Sequence, residues 1–110
     1  MSRQFYGKNL EITESLQEYL NTRLDTLYKL TSEVISCRVD ISRDTHHNKG
    51  DVFRVEINFN IPGKLLRVVE TRPDAREAVD LTVNKLMNQL RVLKNRKLWQ
   101  RKLSSLFKRS

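Results

Sequence analysis

Apolar and polar residues change period along the chain, and each change predicts an element. Arg3-Gln4-Phe5-Tyr6 reads as a short strand ended by Gly7. Thr13 is placed to cap a helix, with Glu14 on the positive end of its dipole. Leu16, Tyr19, Leu20, Arg23, Leu24, Leu27 and Leu30 then recur at spacings of three and four. That period predicts a helix over roughly 13–30 whose Leu and Tyr members form a buried stripe. Residues 34–42 alternate, with Ile35, Cys37, Val39 and Ile41 on one face and Ser36, Arg38 and Asp40 on the other, the pattern of a half-buried strand. After a polar turn from Asp44 to Gly50, residues 52–61 alternate more clearly: Phe53, Val55, Ile57, Phe59 and Ile61 against Arg54, Glu56, Asn58 and Asn60.

Pro62-Gly63 is a turn dipeptide, so a strand over about 64–71 should pair antiparallel with the one before it. Its inward face is either Leu66 with Val68 or Leu65 with Val69, and the first pair is the expected one. Pro73 and Asp74 open a last helix, with Asp74 and Glu77 at capping-box spacing. Val79, Thr82, Val83, Leu86, Leu90 and Leu93 fall within one stripe at ~100° per residue. Past Leu93 the stripe meets Lys97 and Arg101, so docking should end near residue 94, with the remainder projecting into solvent. The order β-α-β-β-β-α predicts an α+β two-layer sandwich: a four-stranded, mainly antiparallel sheet with both helices packed on its one apolar face. The opposite face would show Arg38, Asp40, Arg54, Glu56, Asn58 and Asn60 to water.

Length agrees with this reading, since 110 residues make one core and not two. The 38% of hydrophobic residues, with only three Gly and two Pro, argue against a disordered or collagen-like chain. One cysteine forms no internal disulfide, no apolar run approaches the ~20 residues a bilayer needs, and the opening MSRQFYGKNLE lacks the apolar stretch of a signal peptide. A soluble cytosolic protein is the default expectation.

Charge changes the picture most. The net charge is +8, but residues 1–80 hold all 13 acids, and Asp80 is the last of them. Residues 81–110 hold nine bases and no acid. A solvated helix usually mixes signs, because opposite charges one turn apart support it. A one-sign segment forgoes that support, which points to an anionic partner, nucleic acid before membrane. Lys85, Gln89, Val92 and Arg96 share one flank of the last helix; Arg91, Asn95 and Lys102 lie on the far side; Lys94, Lys97 and Arg101 emerge where the core stripe ends. If the helices pack side by side, Lys8, Arg23 or Lys29 could line a groove with Lys85 and Arg96. Each of these alone reads as an ordinary surface charge, and only the cluster carries weight.

Trp99, Leu103 and Leu106, with Phe107 adjacent, form a second apolar stripe near the C-terminus that suits a base, a protein partner, a membrane surface or simple back-packing. His46-His47 lacks a third ligand or a carboxylate pair and reads as a solvated loop. Cys37, on an apolar strand face, reads as a structural thiol and not a nucleophile. The three glycines are scattered and make no phosphate loop. Nothing in the sequence points to catalysis, a cofactor, a metal or a small-molecule substrate.

Two motifs resemble a known family. Gly7-Lys8-Asn9-Leu10-Glu11-Ile12-Thr13-Glu14-Ser15-Leu16 resembles the opening of the ribosome hibernation-promoting factors, also described as ribosome-associated inhibitors or sigma-54 modulation proteins. Asp74-Ala75-Arg76-Glu77-Ala78-Val79-Asp80, followed by Lys85-Leu86 and Gln89-Leu90, is similar to that family's second signature. The resemblance spans roughly residues 3–97. It implies a small cytoplasmic protein that sits in the mRNA and tRNA channel of the small ribosomal subunit, grips rRNA through basic helical residues and stops translation under stress or in stationary phase; the expected protein is not an enzyme and is a monomer off the ribosome. It carries over to Arg23 and Lys29 on the first helix and to Lys85, Lys94 and Arg96 on the second. Asn88, Val92 and Thr26 stand where relatives often carry a base, Arg76 replaces a common Tyr, and Arg91 and Lys97 are placed to compensate. The chain reads as a short form, or as a truncated piece of a longer one: a ribosome-binding domain over 1–97 and a basic helical extension or tail over 98–110. The expected rRNA-binding set is therefore Lys8, Arg23, Lys29, Lys85, Arg91, Lys94, Arg96, Lys97, Arg101 and Lys102. The alternative is a module that docks on a membrane or a protein partner through the C-terminal stripe.

Overall fold

A computed structural model describes residues 2–45 and 50–107, with side chains described over 3–45 and 50–96. Six elements follow in the expected order: β1 (Ser2–Lys8), α1 (Glu14–Tyr28), β2 (Ser36–Asp44), β3 (Val52–Ile61), β4 (Lys64–Arg72) and α2 (Ala75–Phe107). The sheet order is β1-β2-β3-β4. β1 runs parallel to β2, and the two hairpins that follow are antiparallel. A parallel neighbour needs a crossover, and α1 supplies it.

Alternation decides which side of the sheet the helices cover. Cys37, Val39 and Ile41 of β2, Val55, Ile57 and Phe59 of β3, and Leu66 and Val68 of β4 are buried on one face. Leu16, Leu20, Leu24 and Leu27 of α1 and Ala78, Val79, Val83, Leu86 and Leu90 of α2 close the same core. Thr82, buried with them, turns its hydroxyl back to the carbonyls of Ala78 and Val79 at 3.1 and 2.8 Å, so it enters the core without an orphaned donor. Both caps form as the residue types predict. Thr13 Oγ1 accepts from the Leu16 amide at 3.2 Å, and Asp74 Oδ1 accepts from the Arg76 amide at 3.0 Å.

Two local expectations are corrected. β1 does not stop at Gly7 but runs through it to Lys8. The glycine is needed because the chain doubles back at once: Asn9 takes a positive φ of 58°, and a Cβ on Gly7 would stand 2.6 Å from the Leu10 carbonyl oxygen. β2 begins at Ser36, and Ile35, expected inward, is 54% exposed. Its amide still bonds the Asn60 carbonyl at 2.8 Å. Strand parity sets the direction of a side chain, but cover requires something packed above it, and Ile35 stands past the end of the strand.

The open face of the sheet carries a lattice of charges. Asp40 and Glu56 are direct cross-strand neighbours, an arrangement of like charges that is unfavourable by itself. Arginines relieve both. Arg38 bonds Asp40 at 3.0 Å while lying 4.3 Å over the Tyr6 ring. Glu56 accepts from Arg67, Asn58 and Arg54 at 2.6, 3.0 and 3.1 Å. These bonds, Arg67's foremost, hold the Glu56 carboxyl at about 2, against an ordinary value of 4.5.

Candidate nucleic-acid interface

The two helices lie parallel and in register. Arg76 donates to Ser15 Oγ at 3.0 Å, Tyr19 to Asp80 Oδ1 at 2.6 Å, and Arg23 to Asn84 Oδ1 at 3.1 Å, each pair 61 residues apart. The same offset sets Lys29 and Leu30, where α1 ends, level with Leu90 and Arg91. Lys29 is the C-cap of α1, where a cation also faces the negative end of the helix dipole. Arg91, Lys94 and Arg96 are all exposed. Arg91 has one weak side-chain contact, 3.7 Å to Met87 Sδ. Lys64, which begins β4 after the hairpin, lines a surface groove with Arg67 and Arg96. Lys29, Lys64, Arg91, Lys94 and Arg96 thus all lie toward the end of the molecule where α1 stops and α2 continues, on different flanks of it. None of these five has an ion pair among the described residues.

The remaining sequence candidates separate into different environments. Arg23 is a helix–helix tie: its Nε lies 3.0 Å from Asp80 Oδ1. Lys85 points to the other flank and pairs with Glu70 of β4, whose carboxylate is only 10% exposed. That ammonium keeps the Glu70 carboxyl below its usual range. Lys8 lies opposite Ser42, at the far end of the sheet from Lys29, in a shallow polar depression with Arg43 and Asp44. The packed helices therefore do not place Lys8, Arg23 and Lys29 in one groove with Lys85 and Arg96. The Arg23 and Arg91 flank faces along the α1 side, and the Lys85 and Arg96 flank faces β4. Lys97, Arg101, Lys102 and the stripe of Trp99, Leu103, Leu106 and Phe107 fall on helical backbone whose side chains lie outside the described residues. His46 and His47 also lie outside them. Lys64 gives no signal in the sequence, because it stands between the Pro62-Gly63 turn and a strand, where a lone lysine has no periodic context. Only its placement beside α2 brings it to Arg96.

The surroundings of the remaining polar groups are structural. Arg3 of β1 faces α1, donating to Asn21 Oδ1 and Asp25 Oδ1 at 3.0 and 2.7 Å and lying 4.1 Å over the Tyr28 ring. Tyr28 in turn meets Phe59 edge-on at 5.7 Å. Burial pushes the Cys37 thiol up to about 11, so it holds its proton at neutral pH. Among the described residues no group of three His, Cys, Asp or Glu is placed to hold a metal. Among them, too, no helix is long and apolar enough to cross a membrane.

The family model of the sigma 54 modulation protein / S30EA ribosomal protein matches residues 4–98. The chain belongs to this family. It is 35% identical over 99 residues to a ribosome hibernation promotion factor of Deinococcus radiodurans, covering 89% of this chain and 51% of that protein. With a ribosome hibernation promotion factor of Staphylococcus aureus it shares 26% identity over 93 residues, covering 84% and 48%. The chain thus spans about half the length of the curated relatives it matches. Among solved structures, the N-terminal domain of Thermus thermophilus Protein Y superposes with a TM-score of 0.73 at 30% identity, over 84% of this chain and 99% of that one. A ribosomal subunit interface protein from Coxiella burnetii shares the fold, with a TM-score of 0.70 at 23% identity over 86% and 99%. The mixed four-stranded sheet with two helices is the fold of these members.

Proposed function

We propose that this chain is a ribosome hibernation factor: a non-enzymatic protein of the cytoplasm that binds the small ribosomal subunit in its mRNA and tRNA channel and inhibits translation by occupying that space. One observation carries the reading. The end of the molecule formed by Lys29, Lys64, Arg91, Lys94 and Arg96 is cationic and free of ion pairs among the described residues, whereas the bases elsewhere on the sheet and between the helices are largely paired with acids. Paired bases are already neutralised; unpaired ones at a single end are available to phosphates. The names of the relatives, and membership of a family described by a ribosomal protein, support the choice of rRNA as the polyanion.

The mechanism follows from the shape. A compact body over residues 1–97 is held by Lys and Arg contacts to phosphates, which position it without reading sequence. Selectivity comes from the folded RNA surface that the rigid sandwich fits. The basic extension over 98–110, with Lys97 at its root and Arg101 and Lys102 within it, adds counterion release to the same binding event. The protein acts as a monomer and needs no small molecule. Co-sedimentation with purified vacant small subunits tests this. The protein pellets with the subunits at low salt and is released as salt rises. Protein that stays in the supernatant at low salt overturns the proposal.

A further inference from the structure

The sheet ends at β4, whose outer edge has no strand beside it among the described residues. Along that edge, between β4 and α2, runs a groove of about 530 Å³. Its floor is aliphatic, made by Leu65 and Leu66 of β4 and Val92 and Leu93 of α2. Leu65 is 60% exposed and Val92 50%, and both line this groove. The rim carries two cations without an ion pair among the described residues, Lys64 and Arg96, with the amides of Asn88 and Gln89 between them; Arg67, also at the rim, is bonded to Glu56. No carboxylate of the described residues lines the groove.

We infer that this groove binds an extended acidic peptide segment of a partner protein, which adds to β4 as a fifth strand. Three features select that occupant. A free strand edge offers alternating N–H and C=O groups to another backbone, the basis of strand addition. The aliphatic floor takes an apolar side chain of the added strand, while its carboxylates meet Lys64 and Arg96. Lys64 and Arg96 disfavour a second copy of this chain, whose own groove rim carries the same cations; edge charges normally serve this protective role. The groove lining has no aromatic ring among the described residues, so a nucleobase would find no stacking platform there. The site thus differs in chemistry from the phosphate-gripping end, although Lys64 and Arg96 belong to both.

The test uses the full chain and a labelled octapeptide Thr-Leu-Thr-Glu-Thr-Leu-Thr-Glu, which sets Leu and Glu on one face of an added strand, followed by titration and amide NMR. The peptide is expected to saturate, shifting the amides of Leu65, Arg67 and Val92 most. Charge reversal by Lys64→Glu with Arg96→Glu, and separately Val92→Glu in the floor, should each weaken it by about tenfold or more. Arg54→Gln on the open sheet face should leave it unchanged. The same peptide N-methylated at alternate amides keeps its charge but cannot pair with the edge, and it should not bind. Binding that survives N-methylation, shifts centred on Arg54 and Arg38, or a short RNA that occupies the groove where the peptide does not would each overturn the inference. Ribosome binding is scored separately, so a failure here leaves the proposed function standing.

Discussion

Arg23 Nε and Asp80 Oδ1 stand 3.0 Å apart, joining α1 to α2, and Tyr19 donates its hydroxyl to the same carboxylate oxygen at 2.6 Å. Asp80 is also the last acid in the sequence. The residue at which the charge pattern changes is therefore one of those that fasten the two helices, and the segment after it holds no acid for its bases to pair with. Asp80→Asn removes the ion pair and weakens the hydroxyl contact. We expect stability in urea unfolding to fall by about 1 kcal/mol. The hydrogen bond from Tyr19 is the main reason its phenol titrates above the usual range. In the variant an ultraviolet-monitored alkaline titration should move that phenol back down; an unmoved titration would show that Asp80 is not its partner.

Arg91→Glu with Lys94→Glu should weaken binding to small ribosomal subunits without altering thermal stability, because neither base has an ion-pair partner among the described residues. The slope of log affinity against log salt should fall by about one for each phosphate no longer neutralised. An unchanged slope would place the phosphate grip elsewhere on the molecule.

Lys85→Glu and Arg96→Glu should separate from each other, although they share a helix flank. Lys85 neutralises Glu70 at the surface, so reversing it sets two carboxylates together and lowers stability by about 1 kcal/mol. Arg96 has no such partner among the described residues, and its reversal should leave the unfolding midpoint in place. Equal midpoints for the two variants would contradict the Lys85–Glu70 pair.

Glu56 sets an acid limit on stability. Its carboxyl is held at about 2, against 4.5 when unperturbed, with the bond from Arg67 the largest cause. A value depressed by folding means that the contribution is fully present above pH 4.5 and is lost as pH falls toward 2. Glu56→Gln should cost about 1 kcal/mol near neutral pH and should flatten the fall in stability across that window. A wild-type protein equally stable at both ends of the window would refute the assignment.

Cys37 should resist modification. Buried on β2 with its thiol pushed up to about 11, it should not react with an aromatic disulfide reagent at about pH 8 while the protein is folded, and should react once denatured. Rapid labelling of the native protein would show the strand to be open.

Periodicity carried the architecture because it reports local geometry. A strand repeats every two residues and a helix every 3.6, so Cys37, Val39, Ile41, Val55, Ile57 and Phe59 declared their face without knowledge of any partner. Leu66 over Leu65 and the caps at Thr13 and Asp74 were legible for the same reason. Periodicity did not reveal what lies beyond an element's end, which is why Ile35 was expected inside and Gly7 was read as a terminator.

Charge divides in the same way. The one-sign run after Asp80 is visible in the sequence because it needs only counting. Which bases are free is a question of what stands opposite them, and that distance is not written in the order of residues. Arg23 and Lys85 look no different from Arg91 and Arg96 on a helical projection, yet the first two are tied to Asp80 and Glu70 while the others face solvent. The chain by itself determined the elements, the core and the one-sign run of bases after Asp80. Tertiary packing alone decided which cations remain available and that Lys64, from a distant hairpin, joins them, because neutralisation of a charge depends on a few ångströms of separation and not on position along the chain.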